Sequence, residues 1–257
     1  MAKIITITIR KGGSAKTTTA VNLASALAKH GKKVLLVDLD SQANASMGLG
    51  IVEPDNNIAR ALDGEITAKD AIIQVGDFWL LPSTPDLTSN EVSMSKTLAP
   101  QDYYATKLLL DPIKGDYDYI IIDTPPSGGI LTYNALLASD GVIMPMQAQV
   151  YAVQGLHQAL EIINGAKKAN PNLELLGVLP TMVNERTNIG SLLLEKLRTN
   201  EDGLTCLDPI PYTIKLTESN AVCKSLIDYE PTNKASLAYN ELAKKIIKHY
   251  NQDKINN

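Results

Sequence analysis

The segment 11–18, which reads KGGSAKTT, constrains this chain more than any other part of its sequence. It follows the run Ile4–Ile9, which contains only Ile and Thr and predicts a β-strand. It precedes residues 19–28, in which the apolar side chains recur at helical spacing and predict an amphipathic helix. A strand, a glycine-rich turn and a helix in this order are typical of a phosphate-binding loop.

The residue types in this loop suit a nucleotide phosphate. Paired glycines let backbone N–H groups close around an anion, and the start of the helix adds its positive end. Lys16 can reach the β- and γ-phosphates as a point charge, and Thr17 offers a hydroxyl to Mg²⁺. The alternative is a plain Gly-Gly turn with two solvated lysines. The candidate residues for binding ATP are Gly12, Gly13, Ser14, Ala15, Lys16, Thr17 and Thr18.

The strict pattern for such a loop, G-x-x-x-x-G-K-[ST], is not matched, because Arg10 and Ala15 stand where it requires glycine. The variant present carries an extra lysine, Lys11, before the two glycines. In this respect the chain resembles the ParA/MinD family of deviant Walker ATPases. The resemblance implies that Lys11 reaches across a dimer to the partner's nucleotide. That family usually has glycine at position 15, and alanine there costs on the order of 1 kcal/mol if φ is positive.

Two aspartates end the next predicted strand, which covers residues 33–40. Its continuous apolar run indicates burial on both faces, as in a parallel sheet, and ligands bind at the carboxyl end of such strands. The sequence DLDSQAN at 38–44 resembles the family's second motif, D-x-D-P-Q-G-N, apart from Ser41 and Ala43. By that resemblance Asp40 positions the attacking water and Asp38 lies near Mg²⁺. N-capping of a helix is the alternative role for both carboxylates.

A third motif closes the strand at residues 117–123, where an apolar run ends in Asp123. This is the Walker B pattern, in which the carboxylate holds Mg²⁺ at the edge of the sheet. The pattern is weak alone and strong after a loop such as 11–18. Thr17, Asp38 and Asp123 are therefore the candidate metal residues, and Lys11, Lys16 and Asp40 are the candidate catalytic residues.

The remaining periodicities predict further elements of an α/β chain. The expected fold is a doubly wound, mostly parallel sheet with helices on both faces, formed by one domain over residues 1–257. Predicted strands are 78–82, 141–146 and 175–183. Predicted helices are 58–62, 68–73, 87–98, 103–110, 150–169, 189–198 and 235–250, followed by a polar tail at 251–257.

The C-terminal third resembles the ParA branch of the family. By that resemblance Asn184 and Pro211 lie beside the adenine. The resemblance also implies a DNA-binding face formed by Arg186, Lys215, Lys224 and Lys234. Arg186 has the alternative of an ordinary surface arginine. The net charge of −4 means that any DNA contact must come from such a local basic patch.

The leading hypothesis is a small ParA-type partition ATPase that uses MgATP, dimerises around it and binds duplex DNA without sequence preference. A ParB-like centromere-binding partner would stimulate hydrolysis, and the expected location is the cytoplasm, on the nucleoid. Since the chain begins at its first strand, we expect no N-terminal helix-turn-helix and no operator-specific repression.

Several related functions compete with this hypothesis. A membrane-positioning ATPase of the MinD type would need an apolar amphipathic helix after the domain, where this sequence is polar. We therefore expect no membrane binding. A metal-cluster carrier would need paired cysteines, and the spacing of Cys206 and Cys223 does not provide them. A tyrosine kinase would show a C-terminal Tyr cluster. A P-loop ligase remains open.

Overall fold

A computed structural model describes residues 1–97, 99–147, 152–183 and 204–256. The predicted helix at 189–198, together with Asn184 and Arg186, lies outside these residues. Seven strands form one sheet: β1 Lys3–Ile7, β2 Val34–Asp38, β3 Ile73–Val75, β4 Phe78–Leu81, β5 Tyr119–Asp123, β6 Gly141–Gln147 and β7 Glu174–Thr181.

The strand order confirms a doubly wound sheet. It runs β3-β4-β2-β5-β1-β6-β7, and every neighbouring pair is parallel except β3 with β4. Strand β1 lies between β5 and β6, so the loop that follows it opens at the centre of the sheet's carboxyl edge. This is the edge at which open α/β sheets bind their ligands.

Helices cover both faces of the sheet, as predicted. Their bounds are α1 Lys16–Lys29, α2 Asn44–Gly48, α3 Ile58–Leu62, α4 Ala68–Ala71, α5 Leu87–Thr97, α6 Ala105–Leu110, α7 Ile130–Ala138, α8 Ala152–Ala169, α9 Lys215–Ala221, α10 Leu226–Tyr229 and α11 Lys234–Asn256. Helices α1, α10 and α11 pack on one face, and α3 to α8 pack on the other. Alternate residues of β2 point into the two cores, which explains its unbroken apolar sequence.

Several elements differ from the sequence-based expectation, and the short helices α2, α9 and α10 were not predicted. Ile73, predicted as the end of a helix, begins the short antiparallel edge strand β3 instead. Helix α7 was not predicted, because its sequence ILTYNALLA is apolar all round and has no helical stripe. The last helix was expected to end at Tyr250 before a polar tail, but it continues to Asn256, since no Gly or Pro interrupts residues 251–256.

Among the described residues, no helix combines the length and the apolar character that crossing a bilayer would require.

Candidate nucleotide-binding site

The loop between β1 and α1 is fixed by hydroxyl groups from three directions. Thr124 donates to the carbonyl of Ile7 at 2.9 Å, where β1 ends. Thr181, at the end of β7, donates to the carbonyl of Ser14 at 3.2 Å. Ser14 in turn donates to the carbonyl of Lys11 at 3.0 Å, which closes the loop on itself. The loop is therefore held in a defined shape without a ligand.

The backbone of this loop leaves the first N–H groups of α1 available to an anion. Gly13 has φ +70° and Ala15 has φ 67° and ψ 30°, so both are left-handed. Ala15 occupies the N-cap position, and no side chain caps the helix there. Nothing lies within 4 Å of the positions that a Cβ would take at Gly12 and Gly13. Uncapped amides beside open space are what phosphate oxygens require.

Lys16 is the buried cation of the site. Only 7% of its surface is exposed, and its Nζ donates to the carbonyl of Lys11 at 3.0 Å. Burial lowers the pKa of Lys16, while the negative charges of Asp123 and Asp40 oppose that shift. The ammonium thus lies next to carboxylates and in a dry setting, where its charge acts strongly on a bound phosphate.

Asp123 lacks the partners that a buried carboxylate needs. It is fully buried at the end of β5, directly opposite Asp38 on β2. Burial raises its pKa well above the usual range, and the charge of Asp38 adds to this. The hydroxyl of Thr17 lies beside it and partly opposes the shift. However, neither carboxylate oxygen has a hydrogen-bond partner of good geometry among the described residues.

This arrangement fits a hard divalent cation. Mg²⁺ prefers carboxylate and hydroxyl oxygens and keeps several waters, so it needs few ligands from the protein. Asp123 offers two unsatisfied oxygens, and Thr17 lies beside them. Within the described part of the chain no group of three or more acidic, His or Cys side chains forms a complete metal cage. The site therefore suits a metal that arrives with its nucleotide.

Asp38 and Asp40 have different environments despite their spacing. Asp38 is fully buried and accepts from the Ser46 amide at 2.8 Å and the Ser46 hydroxyl at 2.7 Å. Burial nevertheless raises its pKa to about 6. Asp40 lines the cavity, and its Oδ1 accepts from the amide of Gln42 at 3.0 Å. Asp38 thus secures helix α2, and Asp40 faces the space above the loop.

A cavity of about 600 Å³ lies over the loop, and residues 12–18 form its floor. Its other lining includes Met47 from α2, Pro126, Met182 and Asn220 from α9. Met47, Met182 and Asn220 were not predicted, whereas Pro126 belongs to the loop that follows the motif at Asp123. Pro211 does not line the cavity; its segment pairs with Val183, next to Met182.

Three of the candidate DNA-binding lysines lie around α9. The hydroxyl of Thr213 accepts from the amide of Lys215 at 3.2 Å and from the side chain of Asn233 at 3.3 Å, which brings Lys215 close to the start of α11 at Lys234. Lys224 follows α9, and its amide donates to the carbonyl of Ser219 at 3.0 Å.

The charges of these lysines are not equally available. Lys215 forms an ion pair with Glu218 at 2.8 Å, which raises the pKa of the lysine. Within the described residues, Lys224 and Lys234 are exposed and have no ion-pair partner.

Known proteins are similar to this chain in sequence and in overall fold. A family model described as an AAA domain matches residues 2–175. The sporulation initiation inhibitor protein Soj of Bacillus subtilis is 39% identical over 254 residues, covering 96% of this chain and 98% of that protein. The chromosome partitioning protein ParA of Myxococcus xanthus is 37% identical over 255 residues, covering 96% and 89%.

Among solved structures, cobyrinic acid a,c-diamide synthase from Mycobacterium smegmatis with a bound ATP analogue and magnesium superposes with a TM-score of 0.86. It is 32% identical and covers 98% of this chain and 96% of its own. The double-lysine loop, the strand-end aspartates and the full-length similarity to Soj and ParA agree with one another. The chain belongs to the ParA family of P-loop partition ATPases.

Proposed function

We propose that this protein is a ParA-type partition ATPase that hydrolyses MgATP to segregate DNA, and that residues 1–257 form one ATPase domain. One observation carries the proposal: the buried Lys16 lies in a preformed loop beside a buried Asp123 that lacks partners. Relatives named as partition proteins at 37–39% identity support the biological role. The synthase structure that holds an ATP analogue and magnesium supports ATP and Mg²⁺ as its ligands.

The loop and the three carboxylates would have separate roles in ATP hydrolysis. The uncapped amides of 12–18 bind phosphate oxygens, and Lys16 leaves the Lys11 carbonyl to reach them. Thr17 and Asp123 would hold Mg²⁺, which when bound offsets charge on the phosphates. Asp40 lies on the cavity wall and would orient the attacking water. Asp38 keeps α2 in place through Ser46.

The dimer is the form in which we expect activity. Lys11 precedes the two glycines and does not line the cavity of its own protomer, whereas Lys16 does. We propose that Lys11 contacts the nucleotide of the partner in an ATP-dependent homodimer. Asn184, outside the described residues, and Pro211 would flank the adenine.

DNA would bind to the ATP-loaded dimer through Arg186, Lys215, Lys224 and Lys234. The dimer doubles each contact, and each phosphate contact adds about 0.9 to the salt dependence of binding. We therefore propose that ATP switches on duplex binding without sequence preference. A ParB-like centromere-binding protein would stimulate hydrolysis and release. The location that we propose is the nucleoid, in the cytoplasm.

The decisive experiment is sedimentation of wild type and Lys16→Ala, each with and without ATP and duplex DNA. A lysine about 4 Å from a phosphate charge contributes roughly 4 kcal/mol at an effective dielectric constant of about 20, before desolvation. We expect wild type to dimerise with ATP and to carry DNA only then, and the variant to do neither. A dimer that ignores duplex DNA at low salt would contradict the partition role.

A second candidate is a ligase that uses the same loop to activate a carboxylate. The superposition on cobyrinic acid a,c-diamide synthase favours it. The two functions differ in what stimulates ATP turnover. A ligase needs its acid substrate, so cobyrinic acid would raise turnover and duplex DNA would not. The partition ATPase would show the reverse, and the higher identity to Soj and ParA makes it our first choice.

A further inference from the structure

A second groove lies at the opposite end of α1 from the nucleotide loop. Its volume is about 480 Å³, and it is lined by His30, Lys32, Lys244, Ile247, Lys248, Asn251 and Gln252. Helix α1 begins at Lys16 in the nucleotide site and ends beside this groove, which at 1.5 Å per residue is a distance of about 20 Å. The groove is therefore separate from the ATP cavity.

The lining of this groove is positive, although the whole chain carries a net charge of −4. Three lysines line it, and among the residues that the structure describes no carboxylate does. Lys244 is paired with Glu241 at 2.6 Å. Lys32 and Lys248, by contrast, have no ion pair within the part of the chain that the structure describes. Two uncompensated charges therefore face the same space.

Capping of the helix does not account for these lysines. Basic side chains are common at helix C-termini because they bond to the last free carbonyls. Here the carbonyls of Ala26 and Leu27 accept from the amide of His30, and the carbonyl of Ala28 accepts from that of Gly31. The carbonyls of residues 26–28 are thus bonded by backbone amides, so they do not need the ammonium groups of Lys32 and Lys248.

His30 provides an independent sign that the groove is incomplete. Its Nε2 atom is buried and has no hydrogen-bond partner among the described residues. Buried polar atoms of side chains nearly always have a partner, and an atom without one calls for an explanation such as a water or an ion. The side-chain amides of Asn251 and Gln252 add further donors at the rim.

We propose that the groove between the ends of α1 and α11 is a second anion-binding site, which takes the phosphate groups of a polyphosphate chain or of a nucleic-acid backbone. Lysine ammonium groups bind phosphate as point charges. Within the described part of the chain no Trp, Tyr or Phe lines the groove, so no aromatic ring there would stack on a base. Phosphate groups rather than nucleobases are therefore the recognised chemistry. The proposal does not depend on the partition role.

The test compares two double variants that remove equal charge. Lys32→Gln/Lys248→Gln changes the groove. Lys96→Gln/Lys168→Gln is the control, since both of its lysines are exposed, have no described ion pair and lie on helices of the other face. Tripolyphosphate is titrated by calorimetry and a labelled duplex by fluorescence anisotropy, both without ATP, so that nucleotide-dependent DNA binding does not contribute. The ring ¹⁵N signals of His30 report occupancy of the groove itself.

We expect roughly tenfold weaker binding in the groove variant and little change in the control, because two charge contacts are lost in one and none in the other. If the groove binds tripolyphosphate but not the duplex, its ligand is a soluble polyphosphate. If the groove variant loses binding to the duplex and the control variant keeps it, the ligand is a nucleic-acid backbone. The proposal is wrong if neither probe binds, if both variants weaken binding equally, or if the His30 signals stay unchanged when the probe is bound.

Discussion

Replacing Ala15 by glycine should stabilise the protein, against the usual effect of that substitution. Ala15 has φ 67° and ψ 30° at the N-cap of α1. In this left-handed region the Cβ of an L-residue crowds its own backbone, which costs roughly 1–2 kcal/mol, and glycine has no such cost. Ala15→Gly should therefore remove strain from the folded state.

Two smaller terms reduce the gain. Glycine has more conformational freedom in the unfolded chain, which lowers the free energy of unfolding by about 0.4–1 kcal/mol. The methyl group of Ala15 is only half-buried, so its lost packing is a fraction of the ~0.8 kcal/mol for a fully buried CH₂. The net expectation is a stabilisation of about 0.5 kcal/mol. For a domain of this size it corresponds to a rise in Tm of roughly 1–2 °C.

Two further alanines serve as controls. Ala43 is also left-handed, at φ 50°, but it is only 5% exposed. In Ala43→Gly the loss of packing around the methyl group should offset the relief of backbone strain, so the free energy of unfolding should stay nearly unchanged. Ala28 is half-buried within α1, where glycine costs about 1 kcal/mol. Urea unfolding without nucleotide should therefore rank Ala15→Gly above wild type and Ala28→Gly below it. If Ala15→Gly destabilises as much as Ala28→Gly, the left-handed conformation at 15 carries no strain.

Other expected outcomes concern the roles of single side chains. Lys11→Ala should keep ATP binding in the monomer and lose the ATP-dependent dimer, and unchanged turnover would exclude a role across the interface. Asp40→Ala should retain ATP and slow hydrolysis far more than binding, measured by single turnover, and normal hydrolysis would refute its role. Glu218→Gln should strengthen DNA binding by freeing Lys215; the ion pair is irrelevant if affinity and salt slope stay the same. Burial raises the pKa of Asp38 to about 6, above its unfolded value, so metal-free protein should lose stability as pH rises from about 4 through 6. A Tm that rises over that range would contradict this.

The nucleotide loop and its carboxylates were predictable because their physics is local. A glycine-rich turn between strand and helix, and apolar runs that end in aspartate, each place their polar groups at the carboxyl edge of a parallel sheet. Asp38 and Asp123 then meet because β2 and β5 are neighbours in register. The motif, which usually has glycine at position 15, raised a positive φ there as a condition, and the structure shows φ 67° at Ala15.

Residues whose role depends on tertiary contact were not predictable. Ser46 holds Asp38, yet a serine eight positions from an aspartate has no signal in the sequence. Asn220 lines the cavity only because α9 packs above the loop. Strand β3 has three residues, and its alternation is too short to distinguish it from the end of α4. The predicted helix at 68–73 was therefore too long, and the antiparallel edge was missed.

Charge balance in the site explains why the protein should bind MgATP and not free ATP. Asp40 and Asp123 act on one buried ammonium, that of Lys16, and Asp38 lies opposite Asp123. When all three carboxylates are ionised, the site carries an excess of two negative charges. An ATP polyanion entering alone would add to that excess in a medium that screens charge poorly. One divalent cation beside Asp123 offsets the two excess negative charges. The uncapped amides of α1 can then bind the phosphates without repulsion from the carboxylates. Affinity for ATP should therefore fall sharply when Mg²⁺ is chelated, and Asp123→Asn should reduce that dependence. If ATP binds equally well with and without the metal, the carboxylates are neutralised by some other means.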